Sequence, residues 1–248
     1  MSRSLALVMP VYNEEECIVH VLNSWLATFD RLGIDYQAIV LDDGSRDGTS
    51  ARLAVFEGNS RVECITKPNE GHGPTILRGY HKAVDCAEWV FQCDSDDEMS
   101  PDHFELLWHQ RDDYDALFGY RLGRAQDPLR KLVTLVSRAV VQALFGSQVR
   151  DVNTPYRLIR SGVLQGILAR IPADTFAPNV LIAGAISLGG LRVAECAVPH
   201  EPRRTGQVSL VRLGVLKAAT RSFLQTIRFR FSRAAPAGRR TGERSVTN

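Results

Sequence analysis

Short apolar runs alternate with helical patterns along the first 120 residues of the chain. Apolar runs that end in polar residues predict strands at 5–12, 36–41, 62–66, 89–93 and 116–120. Apolar residues at helical spacing predict helices over 14–29, 48–57, 73–86 and 101–110. Because buried strands that alternate with helices form βαβ units, we expect an α/β fold with a mostly parallel sheet flanked by helices.

The second half continues this alternation and then changes character. Helical patterns cover 128–145, 162–170 and about 177–188, and strand patterns cover 156–160 and 191–198. After a loop at 199–206, residues 208–231 alternate apolar side chains with arginine and lysine, which predicts a basic amphipathic helix lying in a membrane interface. From Ala234 onward the composition is typical of disorder. We therefore expect one domain over 1–206, followed by a basic helix and a disordered tail over 207–248.

Charge reinforces this division of the chain. The 248 residues are 44% hydrophobic and 23% charged, as in an ordinary globular protein with a full core. Residues 1–202 carry 19 basic and 27 acidic side chains, whereas 203–248 carry 11 basic side chains and one acid, Glu243. A basic tail suits phosphate-rich partners, and we expect anionic lipid headgroups and no nucleic acid. A merely solvated terminus is the alternative.

The cysteines and the apolar segments indicate the compartment. Five scattered cysteines without a CxxC pair argue against a disulfide framework or a structural zinc site and suit a reducing environment. The apolar start is too short for a signal peptide, and no apolar stretch reaches the roughly 18 to 20 residues that cross a bilayer. We expect a cytoplasmic protein, peripheral on the inner face of the membrane, with no prediction of its oligomeric state.

Acidic residues follow the fourth predicted strand directly. Asp94 and Asp96 stand two residues apart, so in an extended segment both carboxylates point to the same side. Mg²⁺ and Mn²⁺ prefer oxygen ligands and are commonly held by one or two carboxylates together with substrate phosphates. Glu98 is placed to add a third oxygen. An acidic turn that caps the helix predicted at 101 is the alternative.

Other strand ends carry further polar groups on the same predicted edge. Asp42 and Asp43 could accept hydrogen bonds from ribose hydroxyls or a base N–H, or form an Asx-type turn. Tyr12 could stack on a base or cover the end of the sheet. Gly71 and Gly73 could let the backbone approach a ligand closely, although a glycine turn into a helix is commoner. A dinucleotide-binding dehydrogenase, a P-loop enzyme and a GxSxG hydrolase are excluded because their motifs are absent.

Three motifs together resemble the inverting family 2 glycosyltransferases of the Rossmann-like GT-A fold. Residues 8–15, VMPVYNEE, look like the opening P-x-Y-N-E of that family, residues 41–49 resemble its DDGS-x-DGT, and residues 94–96 its DxD. The resemblance implies a metal, Mg²⁺ or Mn²⁺, at Asp94 and Asp96, with Glu98 where a glutamine is expected. Adding the glycine segment, the nucleotide-sugar-binding residues it implies are Pro10, Tyr12, Glu14, Asp42, Asp43, Gly73 and Asp94.

The second half is similar to the dolichol-phosphate mannosyltransferases and their bacterial polyprenyl-phosphate relatives. The segments that carry this likeness are 119–121, 130–134, 151–157 and 198–209. It implies that Arg121 and Arg130 orient the acceptor phosphate as catalytic residues beside Asp96, and that Arg203 binds the donor, because guanidinium pairs bidentately with phosphate. Related enzymes often carry C-terminal membrane helices, where this chain shows only the basic amphipathic segment.

The resemblance implies transfer of a sugar from a nucleotide sugar to a polyprenyl phosphate. A hydroxyl acceptor, glycan or lipid, is the alternative, and it would need a carboxylate base such as Asp151 or Asp97. A non-catalytic, membrane-associated interaction module of the same fold is a second alternative. A nucleotidyltransferase is disfavoured because a glycine-rich loop with Arg and Lys after strand one is missing.

Overall fold

A seven-stranded sheet forms the centre of the protein. The computed structural model describes residues 2–122, 128–146, 149–200 and 212–232, and all structural statements concern these residues. The sheet has the order β3-β2-β1-β4-β6-β5-β7. Its strands are β1 (Arg3–Val11), β2 (Tyr36–Asp42), β3 (Val62–Thr66), β4 (Ala87–Gln92), β5 (Ala116–Leu122), β6 (Arg157–Arg160) and β7 (Val193–Pro199).

Strand direction brings the polar strand ends together. Strands β3, β2, β1 and β4 run parallel to one another, and β5 runs parallel to β7. Only β6, among the described strands, is antiparallel to its neighbours β4 and β5. Val11 at the end of β1 pairs with Asp42, and Val8 pairs with Gln92 at the end of β4. The prediction of a mostly parallel sheet is confirmed, and the loops after β1, β2 and β4 leave from the same edge.

Helices cover both faces of the sheet. They are α1 (Ile18–Arg31), α2 (Thr49–Leu53), α3 (His72–Val84), α4 (Phe104–Gln110), α5 (Pro128–Phe145), α6 (Ser161–Leu168), α7 (Pro178–Leu188) and α8 (Arg212–Phe231). One face buries an aromatic cluster in which Trp25, Phe91, Phe104 and Tyr156 contact one another, with ring centroids 4.7 to 6.0 Å apart. The other face packs apolar side chains of α3, α5, α6 and α7.

The predicted elements are all present, with shifts at their ends. The segment predicted as one helix over 48–57 is α2 followed by the 3₁₀ turn Ala54–Phe56, and α4 is preceded by the 3₁₀ turn Pro101–His103. Helix α1 begins at Ile18 rather than 14, because the chain first makes a turn in which Asn13 takes φ 55°. Ser100 caps the 3₁₀ turn at 101 by accepting the N–H of Asp102, as serine before proline predicts.

Helix α8 follows the predicted basic segment but lies against the body of the protein. Phe229 is buried beside Phe145 of α5, and the Arg230 Nε donates to the Leu144 carbonyl at 2.6 Å. Phe223, Leu224 and Phe231 of the same helix are exposed. Helix α8 thus packs on α5 with some of its side chains and exposes other apolar side chains to solvent. Among the described residues, none of the helices is long and apolar enough to cross a bilayer.

Replacing Phe104 with alanine should destabilise the protein by about 3–5 kcal/mol, because the ring is completely buried among other aromatic rings and its loss leaves a cavity. Leu106→Ala is the matched control, since Leu106 lies on the same helix but is half exposed. We expect it to cost less than about 0.5 kcal/mol. Chemical denaturation of both variants measures the two values, and equal losses would contradict the assigned burial.

Candidate functional site

The loops after β1 and β2 hold each other through a set of backbone-to-side-chain bonds. The Asn13 N–H donates to Ser45 Oγ at 3.0 Å, and the Arg46 N–H donates back to Asn13 Oδ1 at 2.8 Å. The Glu14 N–H donates to Thr49 Oγ1 at 2.8 Å. The two sequence motifs are therefore one structural unit, a relation that their separation of some 30 residues concealed.

The predicted nucleotide-binding residues of β1 and its loop lie at this edge. Pro10 is buried within β1 and is paired in register with Leu41. Tyr12 is half-buried directly after the strand, where a base could stack on its ring. Glu14 is buried, and the Cys17 thiol donates to its Oε2 at 3.4 Å. Tyr12 thus offers the more accessible surface of the three.

Asp42 is completely buried and serves the fold of its own loop. Its Oδ1 accepts the Ser45 N–H at 2.9 Å, and its Oδ2 accepts the hydroxyl of Ser50. The Ser45 N–H is three residues on from Asp42, so this bond closes a turn one residue wider than the Asx-type turn that the sequence left open around Asp43 and Gly44. As placed, Asp42 presents no surface to a nucleotide.

Asp43 is buried too, in an ion pair with Lys67. Its Oδ1 accepts from the Lys67 ammonium group and from the Glu70 N–H, the latter at 2.9 Å, and its Oδ2 accepts the Gly71 N–H at 2.9 Å. Lys67 is only 2% exposed and also reaches Glu70 at 3.1 Å. In the structure this carboxylate is engaged in shaping the segment 67–71, and its expected contact with ribose or base stays a prediction.

The start of α3 places one imidazole beside the DxD motif. Gly71 takes φ 94°, a left-handed value that glycine accommodates without strain. A Cβ on Gly73 would collide with the carbonyl oxygens of Thr175 and Phe176, so packing within the protein, rather than approach to a ligand, requires this glycine. His72 is more than half exposed, and its Nε2 lies 3.7 Å from Asp94 Oδ1.

Asp94 and Asp96 follow β4 and are both partly exposed. Asp94 Oδ1 accepts from Gln92 Nε2 at 3.4 Å, and Asp96 Oδ1 accepts the Glu98 N–H at 3.3 Å. Their charges also affect Cys93: burial raises the pKa of this thiol well above its usual value, and the nearby carboxylates raise it further. The strand end is thus a region of negative potential.

Glu98 does not join these two carboxylates in the structure. Its Oε2 lies 2.8 Å from Nε2 of His200, which follows β7 and is 10% exposed. Within the described parts of the chain, no group of three or more His, Cys, Asp or Glu side chains is arranged to hold a metal ion. Asp94 and Asp96 still fit Mg²⁺ or Mn²⁺, since such ions are bound through one or two carboxylates when substrate phosphates complete the shell.

Arg121 is engaged in an internal ion pair. Its Nε donates to Asp151 Oδ2 at 2.7 Å and its Nη2 to Asp151 Oδ1 at 3.0 Å, with the two side chains 9% and 15% exposed. The sequence expected Arg121 as an acceptor clamp and Asp151 as a candidate base, but the structure joins them to each other. The side chain of Arg130 and all of Arg203 lie outside the described residues.

A cleft of about 750 Å³ runs along α3 from the segment that precedes this helix. His72, Pro74, Leu77 and Arg78 form one wall, and Phe176 and Arg221 contribute to the other. Arg221 of α8 also contacts Asp174 at 3.2 Å, and the Gln225 Oε1 accepts the Phe176 N–H at 2.9 Å. Sequence reasoning missed this cleft because its walls come from segments about 100 and 150 residues apart.

Solved structures share this fold. Glucosyl-3-phosphoglycerate synthase from Mycobacterium tuberculosis, in complex with Mn²⁺, uridine diphosphate and phosphoglyceric acid, aligns with a TM-score of 0.65 and 20% identity over 92% of this chain and 78% of that chain. A crystal structure described as that of a mycobacterial protein aligns with a TM-score of 0.65 and 21% identity over 92% of this chain and 74% of that chain. At such identity the likeness shows the GT-A fold alone.

The family follows from the sequence match. The model of the family described as "Glycosyl transferase family 2" matches residues 6–166. The chain belongs to glycosyl transferase family 2, as the motifs predicted.

Two similar curated proteins are both named undecaprenyl-phosphate 4-deoxy-4-formamido-L-arabinose transferase. The protein from Aeromonas hydrophila is 26% identical over 213 residues, which are 84% of this chain and 65% of that protein. The protein from Pseudomonas fluorescens is 27% identical over 207 residues, 82% of this chain and 59% of that protein. The chain thus spans less than two thirds of the length of these relatives.

Removing the Asp43 carboxylate should destabilise the protein by about 3–5 kcal/mol, because Asp43→Ala takes the buried one of two carboxylates from Lys67 and leaves the Glu70 and Gly71 N–H groups without their acceptor. Asp30→Ala is the matched control, since Asp30 pairs with Arg61 at the surface and its loss should cost at most about 1 kcal/mol. Urea denaturation compares the two. A loss for Asp43→Ala no larger than that of the control would contradict the structural role.

Proposed function

We propose that this protein catalyses the metal-dependent, inverting transfer of a sugar from a nucleoside diphosphate sugar to a polyprenyl phosphate. The observation that carries the proposal is the pair of partly exposed carboxylates, Asp94 and Asp96, at the strand edge of a family 2 glycosyltransferase fold. The names of the relatives, which are undecaprenyl-phosphate sugar transferases, support the choice of acceptor.

The donor lies, in this proposal, across the edge formed by Tyr12 and the DxD motif. Asp94 and Asp96 would hold Mg²⁺ or Mn²⁺ together with the donor diphosphate, and the bound cation supplies positive charge that stabilises the departing nucleoside diphosphate. Mn²⁺ and uridine diphosphate in a structure of the same fold support this kind of site. Glu98 is omitted from the ligand set because His200 already engages it.

The acceptor phosphate reacts without a strong general base. One of its oxygens, already anionic, forms a bond to the anomeric carbon while the bond from that carbon to the diphosphate oxygen breaks and its electron pair leaves with the nucleoside diphosphate. A hydroxyl acceptor would need a base, and Asp151 is engaged in its pair with Arg121. This pairing occupies one of the two candidate bases, whereas Asp97 is partly exposed directly after the DxD motif, so the choice of a phosphate acceptor rests on the names of the relatives. Arg130 remains the proposed clamp for the phosphate, and Arg203 a proposed donor contact.

The protein is proposed to work at the cytoplasmic face of the membrane, attached through α8. Phe223, Leu224 and Phe231 are exposed on this helix, in the company of the exposed Arg221 and Arg228. Apolar side chains beside arginines suit the boundary between acyl chains and anionic headgroups. The five cysteines are unpaired with one another, as in a reducing compartment. The division into 1–206 and 207–248 stands as a proposal, with α8 docked on the first part.

Asp96→Asn should lower the rate of sugar transfer at least about 100-fold, because one charge that holds the cation and diphosphate is lost. The measurement is metal-dependent turnover with a panel of nucleotide sugars and either a polyprenyl phosphate or a soluble alcohol as acceptor. Asp112→Asn, an exposed carboxylate remote from the site, is the control and should keep full activity. Full activity of Asp96→Asn, or turnover in chelator, would refute the metal site, and product from the alcohol alone would refute the acceptor.

Leu224→Ser combined with Phe231→Ser should weaken binding to vesicles of phosphatidylcholine and phosphatidylglycerol at least about tenfold, since two apolar side chains no longer enter the bilayer. Flotation of the full chain measures the bound fraction. Val55→Ser removes a comparably exposed apolar side chain elsewhere and should leave binding unchanged. Equal flotation of all three proteins would show that α8 is not the membrane contact.

A further inference from the structure

A chain of buried polar side chains stands behind the DxD motif. Gln92 is the last residue of β4 and is completely buried, two residues before Asp94. Its Nε2 donates to Asp94 Oδ1 at 3.4 Å. Its Oε1 lies 2.6 Å from the Tyr80 hydroxyl and accepts from Asn179 Nδ2 at 2.9 Å. The carboxylate at the surface is thus connected to three residues inside the protein.

The Asn179 NH₂ group and the negative charge of Asp94 determine which way the Gln92 amide faces, while the single proton of the Tyr80 hydroxyl lies between Gln92 Oε1 at 2.6 Å and Asn179 Oδ1 at 3.2 Å. A primary amide has a carbonyl oxygen that only accepts and an NH₂ group that only donates. Turning the amide over would direct its NH₂ at the Asn179 NH₂ and its carbonyl oxygen at the negative Asp94. With Tyr80 and Asn179 in place, the NH₂ group of Gln92 therefore faces the carboxylate.

The surroundings make this arrangement rigid and otherwise hard to explain. Tyr80 and Asn179 are buried on α3 and α7, so the hydrogen bonds among these side chains connect two helices through β4. The buried guanidinium of Arg157 donates to the Asn179 carbonyl at 3.0 Å and fixes the start of α7. Alternation along β4 puts Gln92 on the same face as Val90, which belongs to an apolar core. Polar groups are costly in such a core unless all are satisfied.

The hydrogen bond from Gln92 makes the two carboxylate oxygens of Asp94 different from each other. Among the described residues, the contacts shown for this side chain, from Gln92 and His72, both fall on Oδ1. A carboxylate held through one oxygen keeps a fixed orientation of the other. Ligands of metal ions commonly depend on such supporting hydrogen bonds, whose removal typically costs about 10–100-fold in metal affinity or activity.

We propose that Gln92, with Tyr80 and Asn179, is a positioning residue that orients Asp94 so that its Oδ2 faces the divalent cation and the donor diphosphate. This inference rests on the proposed function, because it assigns a role in the same metal site. None of the three side chains touches substrate; each acts through Asp94.

Binding of Mn²⁺ in the presence of uridine diphosphate tests the inference without requiring turnover. The loss of the free Mn²⁺ electron paramagnetic resonance signal on titration gives the apparent Kd for wild type and each variant. Gln92→Met keeps the length of the side chain and removes the amide, and should raise the Kd about 10–100-fold. Tyr80→Phe leaves Asn179 in place and should raise it several-fold. Thermal melts show whether each variant is folded. If Gln92→Met is unfolded, the Kd of Tyr80→Phe tests the inference by itself.

Tyr36→Phe is the matched control, because Tyr36 is an equally buried tyrosine that packs in the core on the opposite face of the sheet. Its Kd should equal that of wild type. Wild-type affinity in both Gln92→Met and Tyr80→Phe, or an equal change in Tyr36→Phe, would overturn the positioning role. Absence of Mn²⁺ binding by the wild type would instead overturn the proposed metal site itself, so the two failures are distinguishable.

Discussion

The buried ion pair between Asp43 and Lys67 fixes the edge of the sheet on which the candidate site depends. Asp43 follows β2 and also accepts two backbone N–H groups from the segment that leads into α3. The position of His72 at the start of that helix, and hence its approach to Asp94, follows from this connection. Two charges withdrawn from water are stable here because the carboxylate accepts the Lys67 ammonium group and two backbone N–H groups. The Asp42-Asp43 motif thus has a structural role in shaping this edge of the sheet.

The sequence predicted the fold well because its signals are local. Apolar runs, helical spacing and the capping serine at 100 each act within a few residues, and the elements they predicted are present. The edge that carries Asp42, Asp94 and Asp96 also follows from strand direction alone. Side chains that pair although they are far apart in the sequence leave no comparable pattern in it. Nothing in the spacing of Arg121 and Asp151 indicated that they would neutralise each other, so both were expected to act on substrate.

The same reasoning explains why the candidate site is smaller than the motifs suggested. Asp42, Asp43 and Glu98 each have a partner within the chain, and Gly73 is required by the neighbouring backbone. Asp94 and Asp96 stay partly exposed, and Asp94 accepts a hydrogen bond from the buried Gln92. In such a site few residues are available to contact the ligand. Many others hold those few residues in a fixed orientation.

The segment 174–176 contacts both the start of α3 and helix α8. Its carbonyls press on Gly73 beside the candidate site, while Gln225 and Arg221 of α8 hold its backbone and Asp174. A version of the chain shortened before α8 would deprive the Phe176 N–H of its acceptor and loosen one wall of the cleft. Helix α8 and the wall of the cleft are therefore not independent parts, and removal of the helix alters the cleft.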